Sequence, residues 1–112
     1  MHELSIAEAI ADKVQVRAAG RPVSAVAIRV GHFRQVVPDA LQFSWMVVRE
    51  VAGLNGCRLE IEQVPATIRC CGCAMVTTLD LPILSCAACG SSDVRLLSGQ
   101  ELVVVSLELL ES

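Results

Sequence analysis

Two cysteine pairs, Cys70-x-x-Cys73 and Cys86-x-x-Cys89, with twelve residues between the inner cysteines, constrain what this chain can fold into more than any other feature of it. Four thiolates so spaced match the two knuckles of a zinc ribbon, each offering two sulfurs to one tetrahedral ion. The segment is too short to bury a core, so metal is what folds it. Sites of this kind contribute on the order of 10–16 kcal/mol at neutral pH, more than the whole stability of an ordinary small domain. The second pair is the cleaner one, because Gly90 follows the last thiolate where the chain must turn with backbone N–H groups toward sulfur. The first pair, Cys70-Cys71-Gly72-Cys73, carries three cysteines, has its glycine ahead of the last one, and places Ala74 where a glycine is expected. Only Cys70 and Cys73 have the two-residue gap, which leaves Cys71 as a spare thiol. A redox dithiol or a disulfide is the competing reading, and it would make Cys86 and Cys89 dispensable. Cys57, far from the knuckles in an apolar alternation, reads as a small buried thiol.

A chain of 112 residues is long enough for one modest core, to which a metal-stapled lobe adds no second interior. The opening Met1-His2-Glu3 is not a basic stretch followed by an apolar one, and no window approaches the roughly 18 apolar residues of a membrane span. These features lead us to expect a cytoplasmic protein without a membrane role, whose cysteines serve as thiolates rather than as a disulfide framework. Net charge is −3, and Arg69 and Arg95 near the knuckles are offset by Asp80 and Asp93. A nucleic-acid partner would call for a basic stripe with stacking aromatics, which this pattern lacks. A composition that is 54% hydrophobic, with one tryptophan, two phenylalanines and no tyrosine, points to some apolar surface that meets a partner.

Ser5-Ile6-Ala7-Glu8 has the form of a capping box, and Ile6, Ile10, Val14 and Ala18 recur every four residues before Gly20 and Pro22. This predicts a helix over about 5–19. A strand ending at Gly31 is predicted over 23–30 from Val26, Ile28 and Val30. Pro38 and Asp39 suit the first turn of a second helix over about 38–53, with Leu41, Trp45, Val48 and Ala52 facing the core and Gly53 stopping it. Cys57, Leu59 and Ile61 alternate with Arg58, Glu60 and Glu62 as a half-buried strand. A last strand, 102–109, sets Val103, Val105, Leu107 and Leu109 on one face. The expected class is α+β: a three-stranded sheet covered by two helices, with a small zinc-ribbon-like lobe inserted before the last strand. The strands that bracket the lobe are expected to pair as a hairpin. The domains expected are 1–66 plus 97–112, an α/β-type domain, and 67–96, the zinc lobe.

His2 stands directly after the initiator, which gives it chemistry an interior histidine lacks. The Met1 amine, the deprotonated amide nitrogens of His2 and Glu3 and the His2 imidazole close fused five- and six-membered chelate rings. Four nitrogens in a plane favour Ni(II) or Cu(II) over zinc. The Glu3 carboxylate is placed to join or assist. A histidine at a frayed terminus is the bland alternative. His32, after the first strand, reads as a solvent-facing loop residue.

The opening Met1-His2-Glu3-Leu4-Ser5-Ile6-Ala7, the two knuckles and the closing Leu107-Glu108-Leu109-Leu110 together resemble the HypA/HybF family, nickel metallochaperones of [NiFe]-hydrogenase maturation, over essentially the whole chain. The resemblance implies nickel held by Met1, His2 and Glu3 and structural zinc on Cys70, Cys73, Cys86 and Cys89. It also implies transfer to the hydrogenase large-subunit precursor together with a nickel-handling GTPase, and service to urease maturation in some organisms. A homodimer is compatible with the apolar composition. Cys71 and the absent glycine after Cys73 depart from the family pattern at the first knuckle. The alternative is a zinc-ribbon module that binds nucleic acid or protein and has no nickel role. No hydrolytic constellation is present, so no enzymatic activity is expected.

Overall fold

The computed structural model describes residues 2–79 and 83–110, arranged in two compact units: Met1–Arg29, Val36–Glu62 and Val103–Ser112 form one, and Val30–Gln35 and Gln63–Leu102 the other.

The first unit carries two helices on a three-stranded sheet. Helix α1, His2–Ala18, buries Ile6, Ala7, Ile10, Ala11, Val14 and Ala18 along one stripe. It starts earlier than the capping box suggested, since Ser5 already lies inside it. Glu3 in the first turn favours that start by facing the positive helix end. Two left-handed residues, Ala19 and Gly20, end it. Strand β1, Val23–Gly31, leads into a single 3-10 turn, His32–Arg34. Helix α2, Pro38–Val51, buries Leu41, Trp45 and Val48. Gly53 follows with φ +75°, and the bonds Gly53 N–H to Glu50 O (3.4 Å) and Leu54 N–H to Arg49 O (2.7 Å) complete a Schellman stop. Glu3 accepts from the Val37 N–H at the start of α2, and the Gln15 amide donates to Ala52 O at its end, so the two helices run parallel.

In the sheet, β1 lies between β2, Arg58–Val64, and β6, Leu102–Leu109. The expected hairpin between the two strands that bracket the lobe is therefore corrected: both pair with β1 rather than with each other. The reason lies in their faces. Ala25, Val26, Ile28 and Val30 make β1 buried nearly throughout, which suits a central strand, whereas β2 alternates with Arg58, Glu60 and Glu62 and tolerates an edge. As an edge strand, β6 leaves Val103 and Val105 about half exposed and buries Val104. Three donors tie α2 to the start of β2: Trp45 Nε1 and Arg49 Nη1 both reach Cys57 O, and Gln42 Nε2 reaches Leu59 O.

The second unit holds three strands within and beside the cysteine segment, for which the sequence reading assigned no strands. β3, Ala66–Cys70, is central, with β4, Val76–Leu79, and β5, Val94–Ser98, antiparallel on either side. Their β-branched residues supply the propensity, and Ala66 and Ile68, both fully buried, supply a minimal core. Gly31 and Gly99 meet here. A Cβ on Gly31 would fall onto the Gly99 backbone, and Gly31 N–H and Phe33 N–H donate to Glu101 O and Gly99 O, each at 2.7 Å.

Candidate metal centre

Cys70 ends β3, and the chain then turns so that Cys70 N–H bonds Met75 O and Ala74 N–H bonds Cys70 O. The second knuckle repeats the device, with Cys86 N–H on Ser91 O and Gly90 N–H on Cys86 O at 2.9 Å. In both, the residue after the second cysteine is left-handed: φ is +74° at Gly90 and +63° at Ala74. The missing glycine thus leaves the shape of the first knuckle unchanged, and Ala74 adopts a conformation its Cβ disfavours.

These turns bring the four sulfurs of Cys70, Cys73, Cys86 and Cys89 within 4.8 Å of one another. The Cys70–Cys89 and Cys73–Cys86 sulfur pairs are each 3.6 Å apart. A tetrahedron with Zn–S bonds of about 2.3 Å has edges of about 3.8 Å, so the donor set fits structural zinc in kind, number and spacing. Cys70 and Cys86 are buried, whereas Cys73 and Cys89 face solvent. Cys71 is exposed and outside the cluster, its N–H spent on Asp93 O.

The first sulfur of each pair sits in a ring of backbone donors. The N–H groups of Cys73 and Gly72 hold the Cys70 thiol low, and those of Cys89 and Ala88 help take Cys86 down to about 6. The second sulfur of each pair also receives a backbone N–H, from Met75 or Ser91, which pulls it down. The neighbouring sulfurs outweigh that: Cys86 and Cys70 push Cys73 up to about 11, and Cys70 and Cys86 raise Cys89. Without metal, the first sulfur of each pair is therefore the more acidic and the second holds its proton more tightly.

His2 and Glu3 occupy the first turn of α1, with His2 exposed, and Met1 lies outside the described residues. The Glu3 carboxylate accepts from Val37 N–H at 3.3 Å, and this bond chiefly lowers its pKa. Sequence reading missed the contact. Its signal was present: the third residue of α2 is Ala40, which has no side-chain acceptor to reach back to the Val37 N–H, so that acceptor must come from elsewhere. Cys57 is fully buried, and burial raises its thiol. His32 is exposed on the 3-10 turn and takes no part in the sulfur cluster.

A family model described as "Hydrogenase/urease nickel incorporation, metallochaperone, hypA" matches residues 1–109. The hydrogenase maturation factor HypA of Geotalea uraniireducens is 39% identical over 109 residues, covering 97% of this chain and 99% of its own. That of Streptomyces avermitilis is 41% identical over 112 residues, covering 96% and 86%. Among solved structures, the Ni metallochaperone HypA from Helicobacter pylori shares the fold with a TM-score of 0.67 at 20% identity, over the full length of both chains.

Proposed function

Because this chain belongs to the HypA family of nickel-incorporation metallochaperones for hydrogenase maturation, we propose that it takes up Ni(II) at its amino terminus and passes it to the hydrogenase large-subunit precursor. The ligands are the Met1 amine, the backbone nitrogens of His2 and Glu3, and the His2 imidazole. The observation that carries this reading is that His2 and Glu3 form the first turn of α1. The leading N–H groups of a helix have no intrahelical acceptor, so nickel displaces their protons without breaking the helix. A five-membered chelate ring through N–Cα–C–N needs a small torsion about Cα–C. The helical value, about −42°, is far closer to it than the extended value of about +135°.

The parallel helices add to this, because both N-termini lie at one end and their positive dipoles favour a deprotonated, anionic amide nitrogen. The Glu3 carboxylate accepts from the Val37 N–H and from its own backbone N–H, whose proton leaves when that nitrogen becomes a ligand. Two amide protons leave for solvent as nickel binds and return as it departs. A planar site at a chain end leaves its axial directions open, so a partner's ligands approach there and replace the nitrogens stepwise. Zinc on Cys70, Cys73, Cys86 and Cys89 holds the second unit folded. The protein acts as a carrier rather than an enzyme, in the cytoplasm, beside a nickel-handling GTPase, with urease maturation as a second possible destination and a homodimer as a possible assembly.

The test is a nickel titration of zinc-loaded, untagged protein by calorimetry and absorbance, beside His2→Ala and a variant extended by one residue before Met1. One nickel with the yellow absorption of a planar complex, lost in both variants, is the expected result. Equal binding by all three sinks the reading.

A further inference from the structure

Helix α2 has a second apolar face that its core stripe does not use. Phe43, Val47 and Val51 recur every four residues on it and are 69%, 49% and 87% exposed. Val47 and Val51 form one wall of a groove of about 480 Å³ between α1 and α2, with Leu4, Glu8 and Asp12 on the opposite wall and the buried Ala11 and Val48 between them. Gln15 and Ala52, joined by a hydrogen bond, lie at the far end. From Leu4 to Gln15 the groove runs about 16 Å, the length of three helical turns.

We propose that this groove is the docking site for an amphipathic helix of a partner protein, one that lays apolar side chains against Leu4, Val47 and Val51 and sets lysine or arginine beside Glu8 and Asp12. Charge selects this occupant. Glu8 and Asp12 stand four apart on one helix face, a like-charge arrangement that costs stability in the free chain, and neither forms an ion pair among the described residues. Cations from a partner relieve it. A second copy of this chain does not, because a two-fold contact sets the same acids against one another in a chain already at −3. Helix-in-groove recognition reads apolar anchors at i, i+3 or i+4 and i+7 of the incoming helix, and Leu4, Val47 and Val51 line the groove as apolar contacts for them. The near end, Leu4, is two residues from His2, so a partner bound here lies alongside the amino-terminal turn. The surface is argued from apolar exposure and charge, and it stands whether or not that turn holds nickel.

The test uses zinc-loaded full-length protein and a capped synthetic peptide of about three helical turns with leucines at those spacings and flanking lysines. Expected are saturable binding and amide shifts confined to α1 and α2, weakened at least tenfold by Val51→Glu and by Glu8→Lys with Asp12→Lys. The charge-reversed protein should regain binding to a peptide whose lysines are glutamates, which also shows that it folds. Absence of binding, or binding that survives both variants, overturns the proposal. So does concentration-dependent dimerisation abolished by Val51→Glu, which would give the face to a second copy. Nickel uptake is scored separately and decides none of these outcomes.

Discussion

At the scale of single residues, the two knuckles differ at one position whose consequence is measurable. Ala74 and Gly90 hold the same left-handed turn, and only Ala74 sets a Cβ against the preceding carbonyl. Ala74→Gly is expected to relieve about 1 kcal/mol, read as a rise of roughly fivefold in zinc affinity or in resistance to a competing chelator. The thiols make a second prediction. Cys73, pushed up to about 11, and Cys89, also raised, carry protons at neutral pH in the metal-free cluster. Zinc binding at pH 7 should release at least those two, visible as a buffer-dependent heat in calorimetry. Apparent zinc affinity should fall more steeply with acid below about pH 6, where the metal-free Cys86 also holds a proton that zinc must displace. The convergence of Cys70, Cys73, Cys86 and Cys89 was legible in the sequence because four-sulfur clusters are written in short spacings. The partner of Glu3 was not, since Val37 lies 34 residues away and only the parallel packing of two helices brings it near.

At the scale of elements, helix α2 depends on groups outside itself at both ends of the argument. Glu3→Gln removes the charged acceptor at its N-terminus and should lower the melting temperature slightly. Because the folded-state pKa of Glu3 lies below 4.5, its contribution is present above that pH and lost as the pH falls through the lowered value. The difference between wild type and Glu3→Gln should therefore shrink steadily in acid, which parallel melts at pH 7 and at successively lower pH would show. Trp45→Phe gives up the bond to Cys57 O and some volume in a site that is 1% exposed. Arg49 still satisfies that carbonyl, so the loss should be about 2 kcal/mol by denaturant unfolding. Helix positions followed from the four-residue recurrence of apolar side chains, and the second helix agreed closely with its turn signals. The start of α1 did not, because Ser5-x-x-Glu8 describes a local option that the chain passes over when the helix already extends back to His2.

At the scale of the whole molecule, the two units draw stability from different sources. Removing zinc by a chelator at pH 7 should abolish amide protection in β3, β4 and β5, which bury little beyond Ala66 and Ile68. The helical circular dichroism of α1 and α2, which rest on a larger apolar core, should largely survive. Loss of both signals together would show instead that the units unfold as one. What the sequence determined by itself was local or nearly so: two amphipathic helices, an apolar first strand, four cysteines at metal spacing and the amino-terminal Met1-His2-Glu3. These are set by periodicity, turn residues and ligand chemistry within a few positions of one another. Strand order was decided only in three dimensions, where β1 took the centre because it alone could be buried along nearly its whole length. So were the three strands that frame the knuckles, the reach of Glu3 to Val37 and the acidic groove between α1 and α2. Each joins residues far apart in the chain, and which of them meet depends on a competition for burial among all the elements at once.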